Sequence, residues 1–100
     1  MKVTRSKILK CVIESIRDVM PEEKADVDIR DDTDPIQHLG LDSFDGIAFS
    51  CPLSGRLGWD IPGEVNPFVD DERKRSRCVR EIVDLLYQLM RKKAEEEDHE

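Results

Sequence analysis

The sequence predicts an all-α fold, a small four-helix bundle with one short helix and a long loop between helices 1 and 2. Apolar residues recur at helical spacing in three separate stretches. An aspartate-rich stretch broken by Pro35 and Gly40 separates the first two of them. Nothing reads as strand, because β-branched residues follow helical spacing and no alternating run meets a tight Asn-Gly turn.

Within residues 5–20, Ile8, Leu9, Val12, Ile13, Ile16, Val19 and Met20 form one stripe with charges opposite, and Pro21 closes this first helix. Residues 21–42 are polar, with Val27, Ile29, Ile36, Leu39 and Leu41 as sparse apolar anchors, so they read as a long loop pinned to the core. A loop of that length in a compact domain is more often functional than incidental. The second helix should begin at Asp42 or Ser43, because Asp42 can cap the free backbone N–H groups and Asp45 complements the positive helix end.

The second helix carries Phe44, Ile47, Ala48, Phe49, Cys51, Leu53 and Leu57, which cover more than half of its circumference and predict an enclosed helix at the centre of the bundle. Pro52 removes one hydrogen bond and clashes with the preceding turn at a cost of about 3 kcal/mol, so a kink or early break is expected near Cys51-Pro52. Gly46, Gly55 and Gly58 weaken the helix further. Trp59, Ile61, Pro62 and Gly63 mark the next loop, and Asn66-Pro67-Phe68-Val69 reads as one short helical turn with proline near its first position.

After a charged linker at 70–75, Ser76 is the expected N-cap of the last helix, whose stripe is Cys78, Val79, Ile82, Val83, Leu86, Leu89 and Met90. Lys92 and Lys93 suit its negative end. One domain is therefore expected over 1–93, with 94–100 as a disordered acidic tail.

Composition narrows the function. Hydrophobic residues make up 38% of the 100 residues and charged residues 39%, enough for one small core and too polar for a membrane protein. No secretory signal is evident at the start, where Lys10 and Glu14 interrupt the apolar run, so a cytoplasmic protein is expected. Cys11, Cys51 and Cys78 lack the close spacing of a zinc or redox pair, and each falls on an apolar stripe that predicts core packing.

Charge is concentrated rather than spread. Residues 21–45 hold nine acidic side chains against Lys24 and Arg30, so this stretch alone carries the whole formal charge of -7. Such a field repels nucleic acid and anionic membrane and steers basic protein surfaces toward Ser43 at its end. The basic cluster Arg73, Lys74, Arg75, Arg77 and Arg80 reads as a solvated linker or a counterweight to the acidic stretch. Asp26, Asp28 and Asp31 lack the glycine and closing glutamate of a calcium loop, and His38 and His99 have no ligand-spaced companions, so no metal site is expected.

The informative residues are Leu39-Gly40-Leu41-Asp42-Ser43-Phe44, an acidic stretch ending in Asp-Ser at the start of an apolar helix. Here the chain resembles the acyl carrier protein family, including the carrier domains of polyketide and nonribosomal peptide synthases. The resemblance covers residues 5–90 and includes Ile61-Pro62 at the family's spacing from the Asp-Ser pair.

The resemblance implies an acyl-carrier-like domain over 1–93 that is not itself an enzyme. Its Ser43 would receive covalent 4'-phosphopantetheine from coenzyme A, and the arm would hold acyl or aminoacyl thioesters, in lipid or secondary-metabolite biosynthesis. The implied partners are a magnesium-dependent phosphopantetheinyl transferase, with Asp42 helping to orient the serine, and the acyl-loading and acyl-processing enzymes. A phosphodiester on Ser43 would also lie at a positive helix end, where an anion is favoured. Gly40-Leu41-Asp42-Ser43-Phe44-Asp45-Gly46 is not a Gly-x-Ser-x-Gly nucleophile turn, so Ser43 reads as a target of modification.

Asp42, Phe44, Asp45 and Ile47 are the expected partner contacts, and a monomer is the expected state. Many bacterial fatty-acid carriers place glutamates along this helix, where the present chain has Ala48, Ser54, Gly55 and Arg56. That departure points to a specialised carrier with dedicated partners. The competing expectation is an unmodified helical interaction module with the same fold.

Overall fold

The computed structural model describes residues 4–24 and 26–97. Among these, three α-helices carry the fold: α1 (Arg5–Val19), α2 (Ser43–Leu57) and α3 (Val79–Glu97). A 3-10 turn at Glu22–Lys24 follows α1, and two short strands, β1 (Val69–Asp70) and β2 (Arg75–Ser76), separate α2 from α3. The strands pair antiparallel, Val69 opposite Ser76 and Asp70 opposite Arg75.

The four-helix bundle with a long loop is thereby corrected: the short helix expected at Asn66-Pro67-Phe68-Val69 gives way to a turn that feeds a hairpin. Local chemistry accounts for this. Asn66 Oδ1 accepts the Phe68 N–H at 3.0 Å, an Asx turn that competes with a first helical turn. The Arg77 N–H donates to the Phe68 carbonyl at 2.9 Å, and the Arg77 guanidinium donates to the carbonyls of Asn66 at 3.0 Å and Val69 at 2.7 Å. Asp70 Oδ1 then accepts from the N–H groups of Glu72 and Arg73, both at 3.2 Å, and closes the hairpin loop.

The segment between α1 and α2 is a chain of hydrogen-bonded turns rather than a slack loop. Asp34 is buried, and its Oδ1 accepts from Ile36 and Gln37 N–H at 3.0 Å each, while its own N–H donates to His38 Nδ1 at 2.8 Å. Ile29, Leu39 and Leu41 are buried as anchors, whereas Val27 lies exposed.

This segment also starts α3. Val79 N–H donates to Thr33 O at 2.8 Å and Arg80 N–H to Asp31 O at 2.7 Å, while Glu81 Oε1 accepts from Cys78 N–H at 3.1 Å. The expected Ser76 cap is thus displaced: Ser76 belongs to β2, and its hydroxyl donates to Asp34 Oδ2. The first donors of the helix are satisfied by carbonyls from far along the chain, as any buried helix start requires.

α1, capped by Thr4 Oγ1 on the Lys7 N–H at 3.2 Å, packs against both α2 and α3 and so takes the central place expected of α2. The core joins Ile8, Val12 and Ile16 of α1 with Phe49, Leu53 and Leu57 of α2 and Val79, Ile82, Val83 and Leu86 of α3. Phe68 seals it against Phe49, ring centroids 4.9 Å apart.

α2 also runs unbroken through Pro52 and stops only at Gly58, which takes φ 66°. No early break occurs. Ala48, whose carbonyl loses its donor to Pro52, sits on the exposed side where water can serve it, while buried Phe49, Leu53 and Leu57 hold the helix in place. At α3 the backbone continues to Glu97, and the end of the expected tail at 98–100, with His99, lies outside the described residues.

Candidate functional site

Ser43 is the first residue of α2 and is exposed. Its position is fixed from several sides. Upstream, Leu39 and Leu41 are buried on either side of Gly40, whose φ of 72° favours glycine. Leu41 N–H donates to Pro35 O at 3.1 Å, so the chain reaches Asp42 from an anchored turn.

Asp42 and Asp45 then form a capping box. Asp42 Oδ1 accepts the Asp45 N–H at 3.0 Å, and Asp45 Oδ2 accepts the Asp42 N–H at 2.9 Å. Two carboxylates therefore already occupy the positive helix end at which a phosphodiester on Ser43 would lie. Among the described residues, the N–H groups of Ser43 and Phe44 have no protein acceptor, and neither has the Ser43 hydroxyl.

Asn66 holds the opposite flank. Its Nδ2 donates to the Ser43 carbonyl at 2.9 Å. Gly46 is buried beneath it, and a Cβ there would stand 2.2 Å from Asn66 Oδ1 and 3.0 Å from Phe68 Cβ. In sequence Asn66-Pro67 fits a first helical turn as well as an Asx turn, so Asn66 is not among the expected site residues.

The side chains singled out by sequence meet at one corner. Phe44 is 77% exposed and Ile47 61%, and exposed Ala48 and Cys51 continue the same face at helical spacing. This corrects the expectation of an α2 enclosed on two sides and of a buried Cys51; Cys11 is buried and Cys78 half-buried. No family model, curated protein or solved structure matches this chain.

Besides the box, the Lys24 ammonium donates to the Leu39 carbonyl at 3.5 Å on the approach to Ser43. Arg56 turns away toward α1, where it donates to Ser15 Oγ at 3.0 Å and pairs with Asp18 and with Glu14 at 3.5 Å. Within the basic cluster, Arg75 pairs with Glu81, Arg77 reaches Asp70 at 4.0 Å and Arg73 the same carboxylate at 3.9 Å. Arg80, paired with Asp31 at 3.3 Å, is the member that meets the acidic stretch. The cluster is thus a set of local hairpin and helix contacts more than a counterweight.

A polar groove runs between the hairpin and α3, lined by Asn66, Asp71, Glu72, Arg77, Asp84 and Gln88 among others. Its charged lining does not suit an acyl chain. Among the described residues no helix is long and apolar enough to cross a membrane.

Proposed function

We propose that the chain carries acyl or aminoacyl groups as thioesters on a 4'-phosphopantetheine arm attached to Ser43. The observation that supports this best is an exposed, unpartnered hydroxyl on the first residue of a core-packed helix, held from behind by the capping box and Asn66. Rigid placement with free access suits a group that other enzymes modify and unload. In the loading step the Ser43 oxygen forms a new bond to phosphorus and the pyrophosphate link of coenzyme A breaks. The bisphosphorylated adenosine leaves, and the hydroxyl proton passes to the transferase.

The exposed Phe44, Ile47, Ala48 and Cys51 face supplies an apolar docking surface beside the arm, with Asp42 and Asp45 at its edge for a cationic contact. Chemistry on this reading belongs to the arm's thiol and to the partner enzymes. The cytoplasm and a monomeric state belong to the same proposal. Incubation with coenzyme A, magnesium and a broad-specificity phosphopantetheinyl transferase, followed by intact mass measurement, tests it. Wild type should gain one arm and Ser43→Ala none. A wild-type protein left bare beside a modified known carrier removes the proposal in favour of an unmodified docking module using the same apolar face.

A further inference from the structure

We infer that Asn66 is a positioning residue for Ser43, fixing the first turn of α2 so that the hydroxyl is presented in one place to the enzyme that modifies it; this rests on the carrier reading above.

Both ends of the Asn66 amide meet unambiguous partners. A backbone N–H, that of Phe68, can only be met by Oδ1, and a backbone carbonyl, that of Ser43, only by Nδ2, so the 3.0 Å and 2.9 Å contacts fix which way the amide points. A carbonyl has two lone pairs, so Ser43 can accept from Asn66 without giving up a helical bond.

Asn66 is itself held. Arg77, whose side chain is only 16% exposed, donates to the Asn66 carbonyl at 3.0 Å and to Val69 O at 2.7 Å, tying the turn to the approach of α3. Phe68, two residues on, is fully buried against Phe49 of α2. Gly46 is what lets Asn66 come this close, since any Cβ there would overlap Oδ1. The Ser43 backbone therefore sits between the capping box on one side and a clamp rooted in the core on the other, and the rotation about χ1 is the freedom left to its hydroxyl.

Transfer of a phosphoryl-linked arm requires the attacking oxygen to lie in line with the leaving group, and a misplacement near 1 Å can lower such a rate ~100-fold. Loss of the clamp should slow the chemical step while leaving docking on Phe44 and Ile47 unchanged. Two substitutions separate this from a general structural role. Asn66→Asp keeps the acceptor for the Phe68 N–H and replaces the donor to Ser43 with a repelling oxygen. Asn66→Ser keeps a short acceptor for the turn, does not reach Ser43 and adds no charge.

The experiment measures steady-state transferase kinetics on wild type, Asn66→Asp and Asn66→Ser at a temperature where circular dichroism shows all three folded. The expected result is a fall in kcat of about tenfold in both variants with KM within about twofold of wild type. Faster amide exchange at residues 43–46 should accompany it. Wild-type kinetics in both variants, or a rise in KM alone, overturns the inference and leaves the carrier reading standing. An unmodified wild type beside a modified known carrier removes the carrier reading first, and the clamp then has no reacting group to position.

Discussion

Asp42 and Asp45 cap each other: each carboxylate accepts the other's backbone N–H, at 3.0 Å and 2.9 Å, across the first turn of α2. The reciprocal bond binds Ser43 into a rigid turn and leaves its side chain outside.

That geometry separates two roles for Asp42. Asp42→Asn keeps an acceptor for the Asp45 N–H, whereas Asp42→Ala removes the cap at a cost of about 1 kcal/mol. Chemical denaturation should therefore show wild-type stability for Asn and a loss for Ala. If Asp42 also orients the transferase reaction, Asp42→Asn should be modified more slowly than wild type despite its intact fold. Equal rates would restrict Asp42 to capping.

Phe44→Ala and Ile47→Ala should each change stability by less than about 0.5 kcal/mol, because both side chains are largely in water. Phe49→Ala, on the same helix and fully buried, should cost about 3–5 kcal/mol. Guanidinium unfolding midpoints check the contrast. If the exposed face docks the transferase, the two surface variants should raise KM for modification.

These phenylalanines show how far the sequence could be read. The stripe of α1 and the start of α2 were legible because periodicity and an Asp cap are local signals. The helical wheel locates the apolar positions of α2 but not which of them have a neighbour, so it predicts a helix enclosed on two sides and a buried Cys51, whereas Cys51 lies exposed beside Phe44 and Ile47, two of the expected partner contacts. The hairpin strands are too short to show alternation, and Asn66-Pro67 is compatible with either a helix start or an Asx turn. The start of α3 was illegible for a different reason: its donors go to the carbonyls of Asp31 and Thr33, and a backbone carbonyl leaves no mark in the residue code. Asn66, the residue that braces Ser43, was hidden by the same ambiguity.

Gly46 and Gly55 should respond oppositely to alanine. A Cβ at Gly46 would lie 2.2 Å from Asn66 Oδ1, and overpacking of this kind costs about 1–3 kcal/mol, more than the ~1 kcal/mol that alanine returns in helix propensity. A Cβ at Gly55 meets nothing within 4 Å, so Gly55→Ala should stabilise α2 by up to ~1 kcal/mol. Thermal midpoints moving in the same direction for both would refute the close approach of Asn66.

Glu81 gives the fold an acid-sensitive contact. The hydrogen bond from Arg75, then that from the Cys78 N–H, hold its carboxyl down to about 2 against an ordinary 4.5. In the window between these values the unfolded chain binds the proton that the folded chain refuses. The contribution is therefore fully present above pH 4.5 and is lost as pH falls toward 2. Urea midpoints for wild type and Glu81→Gln should differ most near neutrality and converge across that window. A difference that stays constant with pH would show that the Arg75 pair does not set the Glu81 charge.

Pro52 is the clearest point where local propensity and tertiary packing disagree. An interior proline costs a helix about 3 kcal/mol, yet α2 continues through it to Leu57. The buried side chains beyond it, Leu53 and Leu57, each contribute roughly 1.5–3 kcal/mol of burial, which is enough to hold the last turns. Pro52→Ala restores the bond to the exposed Ala48 carbonyl without touching that buried stripe. It should raise stability by about 1–3 kcal/mol. Amide exchange at residues 53–57 should slow at the same time, because the donors there would no longer follow a gap in the ladder. A destabilised variant would mean that the proline ring, half-buried at this turn, fills a packing space that alanine leaves empty.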